Sequence, residues 1–484
     1  MKQDKKQEKR SVWSIIIAAI YGIAAVAFVL ALLLLDLLPL GYLVLVVVLM
    51  GLISAVLVRG LLFSKHHGKK HIASAVIASI LALCLLAGTS MLAGTMSFFN
   101  NILAGSQSYE YYVVVRSDSS YEEIEDIANE TVSVLNVQNT VQESAKEELQ
   151  KDVAVVFKTE DELSSMTTAL MNRETNVLLL SSAYYDLAVE EEENFTKDAT
   201  RILKTYEITV ETNSGSAGVD PTKEPFSVYV SGIDTTGAIS NASRSDVNMV
   251  VTVNPEERKI LLTSIPRDYY VTLHSYGALD KLTHAGIYGA EESKATIEDL
   301  LNMDIQYYLK VNFSTVTGLV DALGGITVDS EYAFTSRDGF YFAEGENYLN
   351  GEQALSFARE RKAFATGDRQ RVKNQQAVIS GIINKVTGST AILTKYNQLL
   401  GAIADNMEIS MDAKDMKALV KMQLSDMRGW DIESYSLDGS GSSDVVYSIP
   451  GAYAYVMVPD QETVAEAKQK INEVIHGSES SETE

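Results

Sequence analysis

The chain has 484 residues, with 40 Lys+Arg against 64 Asp+Glu and a formal charge of −24; that length calls for two or three domains. Such an acidic balance excludes nucleic acid as a partner, because phosphate-backbone binding draws most of its affinity from a basic face. A single cysteine, Cys84, rules out an intrachain disulfide framework and a Cys-cluster zinc site.

The charge is unevenly spread. Residues 1–95 carry nine Lys+Arg and three acids, a net +6, so the rest of the chain carries −30. Three apolar runs fill this basic head: Ser11–Leu35, Leu40–Val58 and Ile72–Gly94. Each has about the 17–25 residues that a helix needs to cross a bilayer. Asp36, Leu37, Leu38 and Pro39 read as a tight hairpin between the first two. All nine positive charges lie in the amino-terminal tail and the Arg59–His71 loop. The expectation is therefore a multi-pass cell-membrane protein with its amino terminus cytoplasmic and everything after about residue 96 extracellular. A cleaved signal peptide would be single and shorter. No span contains a charged residue, so residues 1–95 read as an anchor rather than a transport path, with Cys84 an inert packing residue within it.

Two soluble modules follow. In the first, residues 105–211, Tyr111–Val115, Val153–Phe157, Asn176–Leu180 and Ile208–Glu211 read as strands, and Tyr121–Val132 as a helix. The run Glu190–Glu193 reads as a solvated helix face. Residues 212–225, TNSGSAGVDPTKEP, are a linker. In the second module, Ser227–Val230, Asn248–Val253, Ile260–Ser264 and Ile326–Val328 read as strands. Helices are expected near Thr296–Asn302, Val316–Ala322, Glu352–Arg361 and Asp368–Val386. From Ser440 a polar break precedes a strand at Ala454–Val458, a helix at Glu462–Ile475 and a disordered acidic end.

The chemistry concentrates in the second module. Of the nine arginines after residue 220, six gather in turn-rich segments: Arg244, Arg267, Arg359, Arg361, Arg369 and Arg371. Guanidinium forks bind phosphate oxygens in pairs and keep their charge when partly buried, so converging arginines suit a pyrophosphate; pairing with surface carboxylates is the alternative. Asp234, after the first strand of the module, and Asp246, two residues beyond Arg244, are the candidate ligands of a magnesium ion, which needs only one or two protein carboxylates when phosphates supply the rest. Arg371 and Gln375 share a helix face, with Val372, Ile379 and Ile383 toward the core. Arg359 and Arg361, two apart, fit a helix ending or an extended segment. Lys281 is a further candidate cation or an exposed lysine. His274 and His284 belong to no Ser/His/Asp arrangement, so electrostatic phosphoryl transfer without a covalent enzyme intermediate is the chemistry these residues suit.

The ordered motifs SGID (231–234), RSD (244–246), SIPRD (264–268), DKLTHA (280–285), VDALGGITV (320–328), NGEQALSFARER (350–361) and GDRQRVKNQQ (367–376) resemble the LytR-CpsA-Psr family over residues 222–390. The three-span head and the small module resemble its streptococcal capsule-locus CpsA type. The resemblance implies an α/β fold: three transmembrane helices, a small α/β accessory domain, and a catalytic domain with a mixed central sheet and an apolar lipid tunnel, its core at 226–390 and its carboxy-terminal part at 391–484. It implies transfer of a glycopolymer, capsular polysaccharide for this type, from a polyprenyl-pyrophosphate carrier to peptidoglycan, with other capsule-assembly proteins as partners. By motif match, Asp234 and Asp246 would hold magnesium, or manganese in its place. Arg244, Arg267, Arg359, Arg361, Arg371 and Lys281 would hold the pyrophosphate with Gln375 assisting, and Arg267, Asp234 and Asp246 would be catalytic. Asn374 stands where the family pattern has a second arginine, so one phosphate contact is either missing or supplied by Arg369 or Lys373. A regulator that senses the lipid carrier and a polyprenyl-pyrophosphate hydrolase are the other readings.

Overall fold

The computed structural model describes residues 12–64, 68–103, 106–137, 140–211, 218–233, 239, 243–388, 396–403 and 407–477. The chain divides into two compact units, residues 1–101 with 413–427, and residues 102–412 with 428–484. In the first, α1 (Val12–Leu35), α2 (Leu40–Phe63) and α3 (Lys69–Leu103) are each long and apolar enough to cross a membrane. Trp13, Ile23, Val56 and Leu83 point outward. Tyr21, Ala24, Leu57, Leu61, Ala78 and Ala82 form a narrow buried seam. Inter-helix polar contacts join Tyr21 Oη to Ser54 Oγ at 3.0 Å and Ser14 Oγ to His71 Nε2 at 2.8 Å, as expected where polar groups have only one another as partners. Asp36 turns the first hairpin with φ 51°. The helix Ala413–Asp426 groups with this unit.

The second unit begins with a five-stranded sheet in the order β3-β2-β4-β1-β5, built from β1 (Ser106–Arg116), β2 (Thr131–Leu135), β3 (Val156–Glu160), β4 (Val177–Ser181) and β5 (Thr200–Glu211). It is packed by α4 (Thr140–Asp152), α5 (Leu163–Met171) and α6 (Ser182–Glu191). The expected helix at 121–132 is instead a single 3-10 turn, Ile124–Ile127, followed by β2. Asn129 at φ 66° turns the chain, and the β-branched residues of TVSVL then suit a pleated surface.

The larger sheet runs β16-β11-β6-β7-β8-β17, from β6 (Phe226–Gly232), β7 (Val247–Asn254), β8 (Lys259–Ile265), β11 (Tyr307–Val311), β16 (Met407–Ile409) and β17 (Asp431–Ser436). It is mixed, with β11/β6 and β8/β17 parallel and the other pairs antiparallel. Alternation along β6 sorts the faces: Tyr229 enters a core with α8 (Ala290–Leu301) and the helix Gln461–His476, whereas Val228 and Val230 face α9 (Phe313–Leu323), α10 (Gly351–Arg359) and α11 (Asp368–Thr387). The short β9 (Tyr270–Thr272) and β10 (Leu279–Lys281) pair beside it and lead into α7 (Leu282–Ala285), and β12 (Ile326–Ser330) pairs with β15 (Gly345–Leu349) around the small β13 (Phe334–Thr335) and β14 (Tyr341–Phe342) pair. The polar break expected at Ser440 is part of a strand: β18 (Gly439–Val446) pairs with β19 (Ile449–Pro459), and its serines are exposed. Linker residues 212–217 and the acidic end from 478 lie outside the described residues.

Candidate functional site

Between the larger sheet and helices α9–α11 lies a cavity of about 440 Å³, within the range of ligand sites. Its walls include Val230, Val251 and Val311 from the sheet and Leu319, Ile379 and Ile383 from the helices, while Asp246, Asn312, Arg359, Arg371 and Gln375 supply its polar lining. Along α11 the lining runs from Arg371 to Ile383, roughly 18 Å of helix at 1.5 Å per residue. One end is therefore cationic and the remainder a greasy slot.

Backbone contacts bring the polar residues together. Asp246 N–H donates to the Gly232 carbonyl at 2.8 Å, Ser245 N–H to Thr283 at 3.1 Å, and Thr283 N–H to Arg267 at 2.8 Å. Tyr229 Oη, fully buried, donates to Asn248 Oδ1 at 2.7 Å and to Ser245 Oγ at 3.1 Å, fixing the segment before Asp246. Gly286 leaves room for that segment, since a Cβ there would stand 2.5 Å from the Ser243 carbonyl. Asn350 launches α10 by a reciprocal cap with Gln353, at 2.9 and 3.1 Å, and Arg359 ends that helix with its guanidinium 4.2 Å from the Phe313 ring centroid.

The charges are interlocked. Arg267 Nη1 lies 2.7 Å from Asp246 Oδ1, and Arg371 Nη2 lies 2.5 Å from Asp368 Oδ1. Burial works against the Arg267 charge, but Asp246, Asp268 and Asp368 outweigh it and raise its pKa. Burial lowers the pKa of Arg371, and repulsion from Arg267 and Arg361 adds to this against the pull of Asp368 and Asp246. Arg267 and Arg361 are thus each near enough to Arg371 to disfavour its charge. Arg371 buries an Nε with no hydrogen-bond partner, and the buried Arg267 Nε has only Asp268 Oδ2, 3.6 Å away. Buried donors are seldom left unpaired, so guanidinium groups gathered at the polar end of an apolar slot suit an anionic headgroup on an apolar tail.

Asp246, Arg359, Arg371 and Gln375 thus line one cavity, with Arg267 joined through Asp246 and Arg361 through its effect on Arg371. Lys281 is buried, its Nζ 4.0 Å from both Asp268 and Glu191. Arg244 is paired with Glu190. The acidic run of α6 is therefore not simply a solvated face: two of its carboxylates reach the cations of the second module. Asp234 lies outside the described residues.

Arg369 and Lys373 do not take the place of the missing arginine in this structure. Arg369 is bound to Asp438 at 2.8 Å and Lys373 to Glu331 at 2.8 Å. Asn374 itself is buried and donates to the Phe357 carbonyl at 3.1 Å, so the position faces the α10/α11 packing. Asn374→Arg is accordingly expected to destabilise the fold by about 2–4 kcal/mol, from overpacking and an orphaned carbonyl, without tightening anion binding; thermal unfolding and titration with pyrophosphate check both halves.

Glu360 is a residue that the sequence reading missed. Buried between the two arginines of its motif, its carboxylate accepts the N–H of Arg337 at 2.6 Å, Arg361 at 3.0 Å and Ala363 at 2.9 Å. Burial alone would raise its pKa, but these backbone donors lower it, and the turn presenting Arg361 is pinned. His284, also buried, has Nδ1 2.7 Å from both Asp280 Oδ1 and Ser448 Oγ, a bond set that ties α7 to the ribbon.

The family model described as LytR_cpsA_psr family matches residues 183–473, beginning within α6. A protein of Enterococcus faecalis described as polyisoprenyl-teichoic acid–peptidoglycan teichoic acid transferase TagU is 41% identical over 219 residues, covering 45% of this chain and 71% of that protein. The Bacillus subtilis protein of the same description is 35% identical over 236 residues, 48% of this chain and 73% of its own. The crystal structure of B. subtilis TagU, 30% identical, aligns with 52% of this chain and 97% of that one at a TM-score of 0.42.

Proposed function

Since the chain belongs to the LytR-CpsA-Psr family, matched over residues 183–473, we propose that it is a transferase that moves a glycopolymer from a polyprenyl-pyrophosphate carrier to peptidoglycan. The observation that carries this reading is an apolar cavity of about 440 Å³ with Arg359 and Arg371 in its polar lining and Arg267 joined to that lining through Asp246. The polyprenyl tail occupies the slot and the pyrophosphate meets Arg267, Arg361 and Arg371, with Arg359 and Gln375 at the lining. The acceptor hydroxyl forms the new phosphate ester as the bond to the carrier's own phosphate breaks, and polyprenyl phosphate leaves. Fixed cations facing the charge that develops on that leaving group supply most of the catalysis.

Three apolar helices support a membrane anchor, and the basic flanks of those helices support an extracellular second unit. An anchored enzyme meets a membrane-confined lipid at raised effective concentration. The polymer we propose is capsular polysaccharide, on the three-span head and the small sheet domain; the named relatives carry teichoic acid in their descriptions.

A magnesium ion is part of the proposal. Among the described residues no group of three metal-ligating side chains occurs, but Asp246 lines the cavity, and one or two carboxylates suffice for a magnesium that shares its shell with phosphate. Asp246, with Asp234, would hold it, and when bound it would polarise the phosphoryl oxygens.

The full chain in nanodiscs, given lipid-linked polymer and peptidoglycan, should form a covalent polymer–peptidoglycan adduct. Release of polymer without any adduct would instead establish a hydrolase. Glu190 competes for Arg244 with any incoming phosphate, but its side chain is 49% exposed, so the pair is worth only about 0–1 kcal/mol. Glu190→Ala should therefore tighten binding of a polyprenyl-pyrophosphate analogue by at most roughly fivefold, as read by calorimetry; weaker binding would mean that Glu190 serves the site.

A further inference from the structure

The ribbon β18/β19 has two unlike faces. Val446, Ala454 and Val456 enter a core shared with Leu163, Met166 and Tyr184 of the small domain. The opposite face carries Tyr453, 75% exposed, and Tyr455, 54% exposed, paired across the ribbon with Val445 and Ser443. Two tyrosines exposed side by side on one strand face put apolar ring surface in solvent, and contiguous exposed apolar surface marks interaction sites. Gly441 bears on the geometry, since a Cβ at that position would stand 3.0 Å from the Tyr455 ring. The strand beneath is bare, and the phenol lies across it with much of its surface free.

This face adjoins the transfer site. Met457 N–H, two residues beyond Tyr455, donates to the Asp268 carbonyl at 2.7 Å, next to Arg267. At the root of the ribbon, Arg369 in the first turn of α11 donates to Asp438 at 2.8 Å and to the Gly439 carbonyl at 3.4 Å. Asp438 chiefly, and Tyr455 to a lesser degree, raise the pKa of Arg369.

We propose that the Tyr453/Tyr455 face is a docking platform for the glycan strand of the acceptor peptidoglycan. A pyranose ring offers an apolar C–H face to an aromatic ring and its hydroxyls to a polar rim, here Ser443 and the tyrosine Oη atoms; tyrosine supplies such amphipathic area at low entropic cost. Residues 439–459 include no Lys or Arg and a single acid, Asp444, and the neighbouring Arg369 is held by Asp438, so the platform offers a polyanionic polymer only an arginine that is already paired and suits an uncharged glycan backbone. The donor polymer is already tethered through its phosphates, whereas the acceptor is held only by what it touches. The small domain thereby gains a role: its core braces the inner face of the ribbon that presents the platform.

This assignment rests on the proposed reaction for the acceptor's identity, but its test is binding, which can succeed or fail without any transfer. Full-length chain in nanodiscs is mixed with purified peptidoglycan glycan strands whose lactyl carboxyls are capped as amides, and the dissociation constant is read for the parent, the double variant Tyr453→Ser/Tyr455→Ser, the double variant Tyr453→Phe/Tyr455→Phe, and Tyr341→Ser, an exposed tyrosine elsewhere. The serine pair should weaken binding roughly tenfold or more, the phenylalanine pair should restore most of it, and Tyr341→Ser should match the parent. Unfolding curves of the serine pair that overlay the parent's keep the comparison valid; if they do not, the phenylalanine pair decides, since loss of binding there counts against stacking. Equal binding by the serine pair and the parent, no binding by the parent, or loss confined to the lipid-linked donor polymer would each overturn the assignment.

Discussion

Arg267→Ala should lower polymer transfer by about 10²–10³, the loss typical of one preorganised donor facing developing negative charge. The change removes the guanidinium that holds Asp246 at 2.7 Å and leaves that carboxylate, only 16% exposed, without the partner that fixes it. Two losses therefore coincide: a cation on the pyrophosphate and the orientation of Asp246. Arg267→Lys should recover little, because an ammonium cannot bridge Asp246 and a phosphate oxygen with a planar fork. The check is turnover of lipid-linked donor at saturation, with binding of the donor measured separately. A variant that turns over at the parental rate would remove Arg267 from the site. A matched fall for Asp246→Asn would place both residues in one unit, and the double change should then cost little more than either alone.

Much of this site was legible because its residues cluster in short motifs between apolar runs. The strands around Val228, Val250 and Leu262 are continuous β-branched and aliphatic stretches, which fits a sheet covered on both faces, and the arginines follow at element ends. The helical spacing placed Arg371 and Gln375 on one face with Val372, Ile379 and Ile383 toward the core; Arg371 and Gln375 do line one cavity, and Ile379 and Ile383 line it with them. What escaped depended on contacts distant in sequence. The Glu190–Arg244 and Glu191–Lys281 pairs need the small domain set against the larger one, and no local pattern encodes that. The ribbon was hidden for another reason. GSGSSDVV has turn-like composition, and it forms a strand because β19 pairs along its whole length while the small domain covers one side. Likewise the segment 121–132 has acids at helical spacing, yet Thr131–Leu135 is claimed by the parallel pairing of β2 with β3 and β4. Asn374 looked like a lost phosphate ligand in the linear pattern. Its bonds to Gln370 and the Phe357 carbonyl show that this side of α11 faces the protein interior.

Ile379→Trp separates tail from headgroup. Ile379 lines the cavity eight residues beyond Arg371, roughly 12 Å along α11, so an indole there fills the slot and leaves the guanidinium cluster in place. Filling an existing cavity avoids most of the 1–3 kcal/mol that overpacking a dense core costs, and thermal unfolding should remain close to the parent's. Transfer from a long-chain polyprenyl carrier should fall by about 10²-fold, since much of the tail's apolar burial, at about 25 cal/mol per Å², is denied. A donor with a tail short enough to stop before Ile379 should be used nearly as well as by the parent. That divergence with chain length is the diagnostic result, because damage to the phosphate site would lower both donors alike. Equal losses for both would mean that the slot does not hold the tail. The reverse comparison uses Arg267→Ala, in which long and short donors should fail together; the two variants crossed with the two donors then assign tail and pyrophosphate to opposite ends of one cavity.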